Sequence, residues 1–142
     1  MKKIFVIIAL LTLVFTSCDS GDIIGGRYYG TFHNNSNNLR EAGSLSFTYV
    51  NRDDGIYFLM NDLVVMGQTD KHKFAGIASV SQLEDLLKTM PAIDSIQVCD
   101  STETITQIDV QAEFKSGSVQ SNLTFTTSND KTVNVDFTGY FE

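Results

Sequence analysis

The sequence predicts an all-β protein, an antiparallel barrel or closely related sandwich of about eight strands with one short helix, carried behind an export leader. Three observations predict it. Apolar and polar residues alternate at a period of two through most of the chain after residue 26, and clusters of Asn, Asp, Ser and Gly separate the alternating runs. A short charged, then apolar, then small-residue segment opens the chain.

Targeting sequence is set apart before the fold is read. Lys2 and Lys3 form a positive start, the twelve residues Ile4 to Phe15 are apolar except for Thr12, and small Thr16 and Ser17 precede Cys18. A helix that spans a bilayer needs roughly 20 apolar residues, so this stretch is too short and reads as a secretory signal over residues 1–17. Phe15-Thr16-Ser17-Cys18 resembles a lipobox, in which small residues lead into a cysteine acylated on its sulfur, with Phe15 where Leu or Val is usual. Cys18 is therefore the expected lipidation site. Each buried CH₂ of an acyl chain contributes ~0.8 kcal/mol and stable anchoring takes more than one chain, so multiple acylation would hold the protein on a membrane. Residues 18–26 are small and acidic, with Asp19, Ser20, Gly21, Asp22, Gly25 and Gly26, and read as a short tether to a β-domain at 27–142. Acidic residues just after a lipidated cysteine resemble sorting signals, and the expected location is the cell envelope, with the outer membrane favoured.

Strands follow from the alternation. Leu45, Phe47 and Tyr49 alternate with Ser46 and Thr48; Ile108, Val110, Ala112 and Phe114 with Asp109, Gln111 and Glu113; Val119, Leu123 and Phe125 with Gln120, Asn122 and Thr124; Val133, Val135 and Phe137 with Asn134 and Asp136. Shorter candidates are 27–33, 55–61, 63–67, 73–80 and 95–99. The links Asn34 to Asn38, Asn51 to Gly55, Lys115 to Ser118 and Ser128 to Lys131 carry turn chemistry and suit antiparallel hairpins. One segment, 81–90, departs from this rhythm. Ser81 and Glu84 have capping-box spacing, and Leu83, Leu86, Leu87 and Met90 recur at helical intervals before Pro91. Such a helix would cover an open end or edge of the sheet, each apolar side chain contributing roughly 1.5–3 kcal/mol when fully buried; the alternative role is a lid over a cavity.

Composition narrows the function classes. Without Lys2 and Lys3, eight basic residues stand against seventeen acidic ones, a formal charge of −9 that repels nucleic acid and anionic lipid. The only cysteines are Cys18 and Cys99, so with Cys18 acylated no internal disulfide forms and stability must come from packing.

Three segments carry a family resemblance: Arg27-Tyr28-Tyr29-Gly30-Thr31-Phe32, Phe58-Leu59-Met60-Asn61-Asp62-Leu63 and Val135-Asp136-Phe137-Thr138-Gly139. Together they resemble the calycin-like domain of small bacterial lipoproteins. The resemblance implies a lipocalin-type antiparallel barrel opened by an aromatic-Gly first strand, and it supplies no catalytic residues. The helix at 81–90 departs from that pattern.

Candidate chemistry is sparse. His33 and His72 sit among polar neighbours, and Asp70-Lys71-His72-Lys73 lacks the spacing of a zinc site. The carboxylates of Asp53-Asp54 and Glu84-Asp85 are sequence neighbours, which on a strand point to opposite faces and on a helix do not face one another. Asn51-Arg52-Asp53-Asp54-Gly55 lacks the alternating ligands and closing Glu of a calcium loop. Gly25-Gly26 and Gly30 form no phosphate cradle, since no Lys-Ser pair or strand-to-helix switch follows. Asp100 beside Cys99 disfavours the thiolate. No metal, cofactor or enzymatic activity is expected. Asp94-Ser95-Ile96 and Asp100-Ser101-Thr102 resemble a short bacterial O-glycosylation signal, with Ser95 and Ser101 as acceptors.

The expected role is non-enzymatic binding. A small apolar ligand would sit in a barrel interior lined by Phe47, Tyr49, Phe58, Ile108, Val110, Phe114, Leu123, Phe125, Val135 and Phe137. The alternative is a structural or interaction subunit of a cell-envelope assembly in which those side chains fill the core. In that case Tyr28, Tyr29, Tyr57 and Tyr140 are the aromatics to watch, with Tyr57 and Tyr140 opposite the apolar rows. Expected partners are the membrane, through the anchor, and an apolar small molecule or an envelope protein.

Overall fold

The computed structural model describes residues 25–53, 55–70 and 72–142; the leader, Cys18 and the tether up to residue 24 lie outside the described residues. Eight strands follow one another around a closed antiparallel barrel: β1 (Gly26–Asn34), β2 (Arg40–Arg52), β3 (Gly55–Met60), β4 (Leu63–Asp70), β5 (Lys73–Ser79), β6 (Ile105–Lys115), β7 (Ser118–Thr127) and β8 (Thr132–Phe141). Each pairs with its sequence neighbour, and β1 pairs with β8 to close the ring. Closure removes the strand edges along which an open sheet would add foreign strands. The architecture is that of a calycin-like barrel.

Alternation sets the inside from the outside. On β8, Val133, Val135, Phe137 and Gly139 are buried while Asn134, Asp136, Thr138 and Tyr140 are exposed. An apolar interior behind a largely polar exterior reverses the arrangement of a barrel that spans lipid. The ring shuts where Gly30 lies opposite Gly139 on one side and Gly43 on the other. A Cβ on Gly30 would stand 1.8 Å from the Thr138 carbonyl oxygen, so only glycine allows β1 and β8 to curl together there.

The β1–β2, β3–β4, β5–β6 and β7–β8 connections gather at one end of the barrel. The other three turns, together with Gly25 and Glu142, lie at the opposite end. The long β5–β6 connection folds over the first end as two helices, α1 (Leu83–Thr89) and α2 (Ala92–Ser95), where the sequence pattern suggests one. The capping box does not form: Gln82 is the N-cap, with no side-chain hydrogen bond. Ser81 therefore stands one residue too early and Glu84 at the second helical position. The strand expected at 95–99 is also absent. Ile96 and Val98 alternate with Gln97 but are buried against the barrel end, Gln97 turning the chain at φ 56°. Three residues at period two cannot distinguish a strand from such a turn, and β5 and β6 already satisfy each other's pairing.

Side-chain amides fasten this cap. Asn34, only 1% exposed, donates from Nδ2 to the Ile96 carbonyl at 2.8 Å, and Asn37 Nδ2 donates to the same oxygen at 3.0 Å. Asn61 holds the β3–β4 turn at φ 54°, accepts at Oδ1 from the Ser46 backbone N–H at 2.9 Å, and donates from Nδ2 to the Thr89 carbonyl at the end of α1. Asn129 Nδ2 donates to Glu103 Oε1 at 2.9 Å, joining the last turn to the cap segment. A Cβ on Gly43 would come within 2.8 Å of the Phe32 ring and 3.1 Å of the Ala92 Cβ, so glycine there seats α2 in the barrel mouth.

Candidate functional site

Whether the barrel can hold a ligand depends on its lumen. Of the ten residues the sequence assigns to the interior, nine are buried; Tyr49 keeps the inward phase but lies at the uncapped rim, 38% exposed, its ring packed on Phe58 at 5.5 Å. Phe47 on β2 and Phe114 on β6 come from opposite walls, yet their ring centroids are 5.2 Å apart at an interplanar angle of 86°. Tyr28 on β1 meets Phe114 at 5.9 Å and Phe47 at 6.2 Å, and Phe58 meets Phe74 at 4.3 Å. Separations of about 4.5–7 Å are those of packed aromatic pairs. The rings thus meet across the lumen and occupy it at this level. Towards the capped end, the buried side chains of Leu86, Met90, Ile93, Ile96 and Val98 continue the same core.

Tyr28, a candidate display aromatic in the sequence, is instead 1% exposed, and burial pushes its phenol above the ordinary range. Its position on β1 between exposed Arg27 and Tyr29 places it inward by simple alternation. Cys99 is held as a thiol first by burial and then by the charges of Glu103, Asp100 and Asp94, and Sγ donates to the Glu103 carbonyl at 3.8 Å. These effects oppose nucleophilic use of the sulfur.

The outer wall is chemically divided. Across β3, β4 and β5, Tyr57 lies opposite Met66 and Met66 opposite Ile77, while Leu59 lies opposite Val64 in the adjoining row. All five point outward by alternation. Val64, Met66 and Ile77 are 57%, 58% and 49% exposed. Val50 on β2 extends the first row beside Tyr57. These rows contain no charged side chain. On the other side, strands β4 to β8 form an open groove of about 680 Å³ lined by polar Gln68, Gln111, Gln120, Asn122 and Asp136 and also by Phe74, Ala112 and Phe137. Asp136 is already engaged there, accepting from Asn122 at 2.8 Å and Asn35 at 2.9 Å.

The other sequence candidates do not converge. His33 bonds to Asn38 Oδ1 at 2.7 Å at the capped end, whereas His72 is exposed in the β4–β5 turn at the uncapped end. Glu84 and Asp85 are exposed on α1, and Asp85 Oδ1 accepts from Lys88 Nζ at 3.3 Å. Among the described residues no three His, Cys, Asp or Glu side chains come together as a metal site would require. Ser95 and Ser101 are both exposed at the capped end. Asn34, Asn61 and Glu103 were not singled out as cap residues by the sequence; the only signals were Asn in positions that turn the chain and an acidic residue just before a strand. Comparison of the chain with protein-family models, curated proteins and solved structures finds no match.

Proposed function

We propose that this protein is an exported lipoprotein of the small calycin-like kind, anchored through Cys18, whose solid barrel serves as an interaction subunit of a cell-envelope assembly rather than as a ligand carrier. The observation that carries this reading is the packing of Phe47 and Phe114 across the lumen, 5.2 Å apart, which leaves the outer surface as the place for recognition. The apolar rows of β3 to β5 are the docking face. Isolated apolar side chains on a surface are ordinary, but a contiguous patch marks an interaction site.

The partner is a protein with an apolar centre and a basic rim. Asp109 lies beside Ile77 and exposed Asp62 occupies the turn next to Leu63, so carboxylates border the patch. The mature chain's formal charge of −9 would also steer such a partner towards it.

A photocrosslinking residue at Met66, compared with one at Gln120 on the polar wall, tests the reading in intact cells. The expected result is one stoichiometric protein adduct from position 66 and none from 120. Equal labelling at both positions, or a small apolar molecule that copurifies in stoichiometric amount with protein from its host, would overturn it in favour of non-specific contact or ligand carriage.

A further inference from the structure

We propose that the uncapped end of the barrel rests on the lipid bilayer, holding the helical cap away from the membrane. This orientation rests on the reading that Cys18 is acylated, and goes beyond it by assigning the surface that meets lipid.

Three features of the chain point to the same end. The first is reach. Six residues, 19–24, lie between Cys18 and Gly25, and a fully extended chain covers at most ~3.3–3.6 Å per residue step, about 25 Å over the seven steps. Gly25 lies against the backbone of β2 at Phe47 and Tyr49, at the uncapped end. The anchor therefore leaves the barrel where the three short turns are, and the cap is on the far side of the molecule.

The second is aromatic display. Tyr29, Tyr49, Tyr140 and Phe141 are 47%, 38%, 68% and 55% exposed, and all lie at the uncapped end around the point where the chain enters. Tyr29 and Tyr140 sit side by side on β1 and β8, and the Arg27 guanidinium lies 5.3 Å from the centre of the Tyr29 ring. Tyrosine rings flanked by a cation suit the zone between headgroups and acyl chains, where the ring body is buried and the hydroxyl stays wet.

The third is charge. The connections at the capped end carry Asp62, Glu84, Asp85, Asp94, Asp100, Glu103 and Asp130 against only Lys88 and Lys131. Around the uncapped end, among the side chains the structure describes, Arg27, Lys73 and Lys115 balance Asp53, Glu113 and Glu142. Arg27 and Glu142 approach to 4.0 Å, as do Lys115 and Glu113. The cap connections thus carry a formal charge of −5, seven acidic against two basic residues, which an anionic leaflet would repel, while the charges named on the aromatic end of the barrel balance. With this end down, the apolar rows of β3 to β5 face sideways, along the membrane plane.

The chain contains no tryptophan, so one introduced tryptophan is a site-specific optical probe. Full-length protein carrying Phe141→Trp, Tyr140→Trp, Met66→Trp or Leu39→Trp would be purified from membranes of its host and reconstituted into phosphatidylcholine vesicles with brominated acyl chains. Leu39, 40% exposed in the β1–β2 connection, reports from the capped end. The expected result is quenching at least about twofold stronger for positions 141 and 140 than for 39 and 66, as interfacial aromatics require. Equal quenching at all four, or stronger quenching at 39, overturns the orientation. Strongest quenching at 66 overturns it as well and lays the apolar wall on lipid. Intact mass of the N-terminal peptide separates the two levels: without acyl chains on Cys18, anchor and orientation fail together, whereas an acylated peptide with uniform quenching sinks the orientation alone.

Discussion

Replacing Phe114 with alanine removes a ring that bridges the lumen to both Tyr28 and Phe47. Phe114 is 2% exposed, so the lost transfer free energy alone is roughly 1.5–3 kcal/mol. In a close-packed interior the neighbours collapse only partly, and the residual cavity brings a Phe-to-Ala change to about 3–5 kcal/mol. Urea titration of the mature domain would read this directly. With a slope of about 2 kcal/mol per M the midpoint should fall by about 2 M at unchanged slope. The truncated barrel should also gain affinity for a small apolar molecule such as benzene, since an apolar cavity stays dry and accepts apolar guests. A loss below about 1 kcal/mol with no gain in binding would refute the packed lumen, because a ring projecting into open space has little packing to lose. Phe114→Leu offers a milder cut should the alanine variant fall below the stability needed to fold.

Gly30→Ala should abolish folding or cost more than about 4 kcal/mol, because its Cβ would stand 1.8 Å from the Thr138 oxygen; soluble yield and melting temperature would check this. Asn61→Ala should cost about 1–3 kcal/mol and speed amide exchange in α1 before the barrel strands, since it frees the end of that helix from the β3–β4 turn. Stability should decline in alkali. The Cys99 thiol and Tyr28 phenol are both raised by burial, Cys99 also by neighbouring carboxylates, so their contribution is complete below the unfolded values of about 8.5 and 10 and is lost as pH rises through the higher folded values. Cys99→Ser should remove the earlier part of that decline in pH-dependent denaturation. Intact mass of the native protein should carry hexose-sized additions that Ser95→Ala with Ser101→Ala eliminates; an unmodified native mass would dismiss the signal.

The strands were legible in the sequence because a half-buried strand writes its two faces into consecutive residues. Ile108 to Phe114 and Val133 to Phe137 carry the whole of that information locally, and the structure places their apolar members inward. Helical spacing at Leu83, Leu86 and Met90 was legible for the same reason, although the start of α1 depends on one residue of register at Gln82. What local periodicity cannot carry is a relation between distant positions. Whether Phe47 and Phe114 line a cavity or touch depends on how tightly the ring closes, and the close backbone approach of β1 to β8 at Gly30 contributes to that. The apolar outer rows were hidden similarly, since Tyr57, Met66 and Ile77 become one surface only when three strands take register. The sequence by itself determined most of the strands and the inward apolar side of β6 to β8, a matter of neighbours a few ångströms apart. Tertiary structure alone decided that Phe47 and Phe114 meet across the lumen, that Asn34 and Asn61 fasten a two-helix cap, and which end carries the aromatics, because each requires side chains far apart along the chain to meet in space.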